Sequence, residues 1–166
     1  AIEARGIPAL VRLPFCDGTW IRRVLDTGAS GIIVPMVNTP EIAREAVTWA
    51  KYPPQGQRGF GFSLANTYGA DFARYVASAN DKVVVIAQIE HVLGVKNVDA
   101  ILDIPGIDGT IIGPYDLSGS MNLAGQTNHP EVLANCDRVL SACQKHGKPA
   151  GIHVVSADPV AAAPFI

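Results

Sequence analysis

Residues 83–116 read VVVIAQIEHVLGVKNVDAILDIPGIDGTIIGPYD. Two apolar, largely β-branched runs, 83–90 and 109–114, flank a stretch in which Val95, Val98, Ile101 and Leu102 recur at helical spacing. Pro105-Gly106 ends that helix. A strand, a helix and a second strand in this order make a βα unit whose two strands lie parallel and side by side, about 4.8 Å apart. Each strand then ends on an acid: Glu90 closes the first run, and Asp116 follows the Gly113-Pro114 turn of the second.

The same alternation extends in both directions. Strand-like runs occupy 9–14 (ALVRLP), 31–37 (GIIVPMV) and 150–155 (AGIHVV), nearly all apolar, as expected of parallel strands covered on both faces. Between them, 19–27 carries Trp20, Ile21, Val24 and Leu25 on one side and stops at Gly28. Thr39 is an N-cap residue with Pro40 at the first helical position of a helix reaching about Ala50. A longer helix starts at Pro130, turns Val132, Leu133, Cys136, Val139, Leu140 and Cys143 inward, and ends at Gly147. Residues 51–81 break the rhythm: a turn-rich YPPQGQRGFGFS precedes a short helix over 71–79, and a loop of that length in a compact α/β chain is usually functional. Five βα units in one α/β domain spanning 1–166 follow, with doubly wound sheet and barrel both open, since a complete (β/α)8 barrel takes about 250 residues.

Bulk properties exclude several partners. A formal charge of −2 in 166 residues gives no electrostatic reason to bind nucleic acid or an anionic membrane. No apolar run approaches the ~20 residues of a membrane span. Cys16, Cys136 and Cys143 make no CxxC pair, and the last two sit roughly 10 Å apart along one helix, so reduced thiols and a cytoplasmic setting are expected. The abrupt opening AIEARGIPALVRLP, without an initiator methionine, is expected of a fragment or processed product.

Glu90 and Asp116 stand at the carboxyl edge of neighbouring parallel strands, where α/β active sites lie. Two carboxylates without nearby thiols suit a hard divalent ion, Mg²⁺ or Mn²⁺, with Co²⁺ not separated from them by two oxygens; each acid is also a candidate cap of the next helix. Gln88, two residues before Glu90, shares its face of the strand and needs a hydrogen-bonding partner, either substrate or a neighbouring side chain. Arg58, between the Pro-Pro turn and GFGF, has the guanidinium geometry for a carboxylate, with an ordinary surface position as the alternative. His91 points away from Glu90 by alternation, His129 and His146 flank a helix as caps, and His153 faces either the sheet's interior side or the helices. Lys51, Lys82, Lys96, Lys145 and Lys148 fall at strand starts, on helices or at helix ends, which disfavours Schiff-base chemistry.

Taken together, VPMVNTPEIAREAV, YPPQGQRGFG, ANDKVVVIAQIEHVLGVKNVDAIL, GIDGTIIGPYDLSGSMNLAGQTNHPEV and GKPAGIH resemble the HpcH/HpaI aldolase/citrate lyase family, in particular its metal-dependent pyruvate aldolases acting on hydroxy-keto acids. The resemblance implies a TIM (β/α)8 barrel of the phosphoenolpyruvate/pyruvate superfamily, of which this chain supplies the third to seventh strands. It implies Glu90 and Asp116 as metal ligands, Arg58 as a catalytic and substrate-contacting group, Gln88 as a second substrate contact, and the backbone N–H groups of Tyr115 and Asp116 as the seat of the pyruvate carboxylate. It also implies pyruvate and an aldehyde as substrates and homo-oligomers built from dimers, up to hexamers. The family's general-base histidine belongs to a loop before Ala1 and has no counterpart here. The expected reaction is reversible cleavage of a 2-keto-4-hydroxy acid; a citryl- or malyl-CoA lyase and a non-catalytic barrel fragment are the rival readings.

Overall fold

The computed structural model describes residues 5–155 and residue 160. The expected domain, 1–166, therefore includes terminal residues that lie outside the described ones. Five strands form one parallel sheet in the order of the chain: β1 (Leu10–Arg12), β2 (Gly31–Val34), β3 (Val84–Ile89), β4 (Gly109–Ile112) and β5 (Ala150–Ile152). A doubly wound sheet would reverse direction at a switch point. This one does not, and spatial order equal to chain order is the order of successive strands in a barrel wall.

Helices connect every pair of strands. α1 (Gly18–Asp26) begins where the Asp17 carboxylate accepts from the N–H groups of Thr19 and Trp20, both at 3.0 Å. α2 (Pro40–Ala50) is capped by Thr39, with Pro40 at its first position, as the sequence indicates. After it come a 3-10 segment (Leu64–Gly69) and α3 (Phe72–Lys82). The single helix expected over 95–102 is instead two, α4 (Val92–Lys96) and α5 (Val98–Leu102). They are broken at Asn97, whose amide reaches across to the Asn38 carbonyl at 2.8 Å. α6 (Pro114–Ser120) and α7 (Pro130–Lys145) precede β5.

Register decides which side chains meet. Ile32, Val34, Val85, Ala87, Ile89 and Ile112 alternate onto the helix-covered face and are fully buried. Their neighbours Ile33, Ile86 and Ile111 alternate to the other face and are only half-buried. Coverage of both faces, expected from the apolar strands, is thus complete on one face among the described residues. The half-covered face also carries Arg12, paired in register with Ile33, and Gln88, paired with Ile111. By the same alternation Glu90, Gly113 and His153 continue it past the strand ends.

Candidate metal and substrate site at the carboxyl edge

Glu90 is only 2% exposed, one residue beyond β3. A carboxylate so buried needs donors, and both of its oxygens have one. Oε1 accepts from the Met36 backbone N–H at 2.9 Å, and Oε2 accepts from the Gln88 amide at 2.6 Å. Gln88 in turn accepts from Arg12 Nε at 3.5 Å through its own Oε1. The amide's partners are therefore side chains, one of the two alternatives open from sequence. Glu90 does not cap α4; His91 does, its Nδ1 accepting from the Leu93 N–H at 3.1 Å.

Asp116 lies in the first turn of α6, whose cap position is Gly113. Gly113 is a glycine for a spatial reason: a Cβ there would stand 2.9 Å from both Glu90 Cβ and Glu90 Oε2 and 3.3 Å from Gln88 Nε2. Its absence lets β4 close against the Glu90 side chain, with the Gly113 N–H bonded to the Ile89 carbonyl at 3.1 Å. Burial pushes the Glu90 pKa above the usual glutamate value. The Met36 N–H opposes the rise, the neighbouring Asp116 carboxylate adds to it, and the Arg12 guanidinium opposes it again. Glu90 and the neighbouring Asp116 together offer hard oxygen donors for a cation. Among the described residues, no group of three or more His, Cys, Asp or Glu is arranged to hold a metal. An ion at Glu90 and Asp116 would have two protein oxygens, leaving its remaining positions to water or substrate.

Arg58, which the resemblance implies as the site's arginine, is placed by the structure in the helical layer. Arg58 is 1% exposed, its Nη2 donating to Asp26 Oδ1 at 2.9 Å and its Nη1 to the Tyr75 hydroxyl at 3.0 Å. Its guanidinium carbon lies 4.8 Å from the Tyr52 ring centroid. Asp26 ends α1 and Tyr75 belongs to α3, so Arg58 ties the helical layer together on the side of the sheet's amino ends. Arg12 bonds to Gln88, and its charge acts on Glu90. Its one sequence signal is a lone cation within the apolar run ALVRLP, at the last residue of β1.

The remaining candidates are placed as follows. Tyr115 and Asp116 are exposed, next to each other at the start of α6. His129 caps α7, and His146 ends it between Asp99 and Asp103. His153 donates its N–H to the Ile112 carbonyl at 2.9 Å, two strands from Glu90. Lys51 Nζ donates to the carbonyls of Asn80 and Val83, Lys145 pairs with Asp99, and Lys148 donates to the Leu102 carbonyl. Lys82 and Lys96 are exposed on helices. The three cysteines are free.

The profile of the HpcH/HpaI aldolase/citrate lyase family matches residues 1–164, and the chain belongs to that family. It is 37% identical over 153 residues to a hydroxypyruvate/pyruvate aldolase of Roseobacter denitrificans, covering 92% of this chain and 60% of the relative. It is 39% identical to a 5-keto-4-deoxy-D-glucarate aldolase of Salmonella arizonae, covering 92% and 59%. The crystal structure of an HpcH/HpaI aldolase from Desulfitobacterium hafniense superposes with a TM-score of 0.88 at 38% identity, covering 97% of this chain and 62% of that one. The chain thus spans about three-fifths of the length of the proteins it matches. No helix among the described residues is long and apolar enough to cross a membrane.

Proposed function

We propose that this chain forms the metal-holding part of a class II pyruvate aldolase, a carbon–carbon lyase that reversibly splits a 2-keto-4-hydroxy acid into pyruvate and an aldehyde. The observation that carries the reading is the buried, doubly oriented Glu90 carboxylate beside Asp116, with Arg12 bonded to its partner Gln88. Hard oxygen donors fit Mg²⁺, Mn²⁺ or Co²⁺, and Glu90 and Asp116 would hold the ion. When bound, such an ion supplies Lewis acidity toward a keto oxygen and carboxylate.

The chain's own groups account for much of the rest. Gln88 and the Met36 N–H fix the plane of Glu90. Arg12 presents a permanent positive charge on the same face, suited to an oxygen that gains charge as the carbon–carbon bond opens. The N–H groups of Tyr115 and Asp116, in the first turn of α6, have no partner within that helix and suit the carboxylate of the keto acid. In the cleavage direction the 4-hydroxyl gives its proton to a base, the C3–C4 bond breaks, the aldehyde departs, and the bonding pair becomes that of the pyruvate enolate. Arg12 takes the electrostatic role first expected of Arg58. Lys51, Lys145 and Lys148 are engaged with Asn80, Val83, Asp99 and Leu102, which supports the metal route over a Schiff base.

The larger architecture belongs to the same proposal: the five strands are the third to seventh of an eight-stranded barrel, in a cytoplasmic homo-oligomer. Calorimetric titration of pyruvate, with and without Mn²⁺, on wild type and Asp116→Ala tests the reading. Pyruvate should bind only in the presence of Mn²⁺ and only to wild type. Binding that ignores the ion and the substitution would refute it, as would a covalent pyruvate adduct trapped by borohydride.

A further inference from the structure

One residue beside Glu90 has unusual backbone geometry. Met36 has φ of 52°, in the left-handed region where an L-residue's Cβ crowds the following carbonyl. Chains keep such a residue only where surrounding contacts over-determine it. The residue is 43% exposed, so burial of the thioether does not hold the conformation. The backbone contacts do. The Met36 N–H donates to Glu90 Oε1 at 2.9 Å, and the next N–H, of Val37, donates to the Gln88 carbonyl at 3.2 Å. One residue further, the Asn38 carbonyl accepts from the Asn97 amide at 2.8 Å. Three successive residues of the loop between β2 and α2 are thereby fastened to the end of β3 and to the α4–α5 break.

We infer that Met36 is a positioning residue: its left-handed backbone aims an N–H at Glu90 Oε1, and with Gln88 on Oε2 it locks the carboxylate plane for cation binding. The inference rests on the reading of Glu90 and Asp116 as metal ligands. Each Glu90 oxygen then has one lone pair committed to the protein and one left for a ligand. An unlocked glutamate would have to be ordered at the moment of binding, which weakens affinity.

If conformation is what matters, substitutions rank by tolerance of positive φ and not by resemblance to methionine. Glycine and asparagine adopt this region readily; β-branched valine resists it. A role for the side chain would give the reverse order, with valine nearest to wild type. Mn²⁺ titration followed by the electron paramagnetic resonance of the free ion, on Met36→Gly, Met36→Asn and Met36→Val, distinguishes the two, with circular dichroism melts alongside. Met36→Gly and Met36→Asn should bind Mn²⁺ within about twofold of wild type and Met36→Val about tenfold more weakly. Loss of affinity in both the glycine and asparagine variants overturns the inference, and those two decide the matter even if the valine variant melts. Valine equal to wild type overturns it as well. A wild-type chain that binds no Mn²⁺ overturns the metal reading itself, and this inference with it.

Discussion

Glu90 sits where solvation alone would not leave a carboxylate, and every atom around it bears on its charge. Its pKa is raised above the ordinary value of 4.5, chiefly by burial. The sign follows: a carboxylate with a raised folded-state pKa contributes stability below its unfolded value, and that contribution is lost as pH rises through the folded value. Without metal, the melting temperature should therefore fall as pH climbs out of the ordinary glutamate range. With Mn²⁺ the ionised form is the one used, so the shift in melting temperature on adding Mn²⁺ should grow with pH through the same window. Melts at a series of pH values, with and without Mn²⁺, check both slopes. Gly113→Ala inserts a methyl 2.9 Å from Glu90 Cβ and Oε2. It should cost about 1–3 kcal/mol of stability and weaken Mn²⁺ binding, measured by denaturant titration and calorimetry. At this scale the acids were legible because each closes an apolar run. Arg12 was less so, because a lone cation within ALVRLP, two residues before Pro14, reads equally as the fraying end of a strand.

The helical layer has its own buried charge. Arg58 is held by Asp26 of α1, Tyr75 of α3 and the ring of Tyr52, three groups separated from it in the chain by 32, 17 and 6 residues. Nothing in QGQRGFG announces those partners, and glycines beside an arginine look the same in a ligand loop and in a structural clasp. Arg58→Leu should destabilise by about 2 kcal/mol, less than a fully buried pair because Asp26 is one-third exposed. Pyruvate affinity of the folded variant should stay unchanged; a folded protein that has lost pyruvate would return Arg58 to the site. Helix boundaries at Thr39-Pro40 and His129-Pro130 were readable because capping chemistry is local. The break at Asn97 was not, since it is held by a hydrogen bond to Asn38, 59 residues earlier.

Among the described residues the sheet has β1 and β5 at its edges. The apolar pattern announced parallel strands, but Ile33, Ile86 and Ile111 face a side that the described residues cover only in part, and a hydrophobic pattern does not say what provides the cover. Alongside β5, a cavity of about 580 Å³ is lined by Leu133, Cys136, Leu140 and Ile152. Edge strands left open among the described residues and a groove of this kind favour association, so sedimentation velocity on these 166 residues should show species larger than monomer. A stable monomer would count against the barrel. Register is what turns this sheet into a candidate site, setting Arg12, Gln88 and Glu90 on one face and closing β4 against Glu90 and Gln88 at Gly113.

The most direct test is an anomalous difference map from a crystal soaked in Mn²⁺. The account predicts one strong peak between the carboxylates of Glu90 and Asp116, with the Met36 N–H still on Glu90 Oε1. A map with no peak there, and the two carboxylates turned apart, would contradict it.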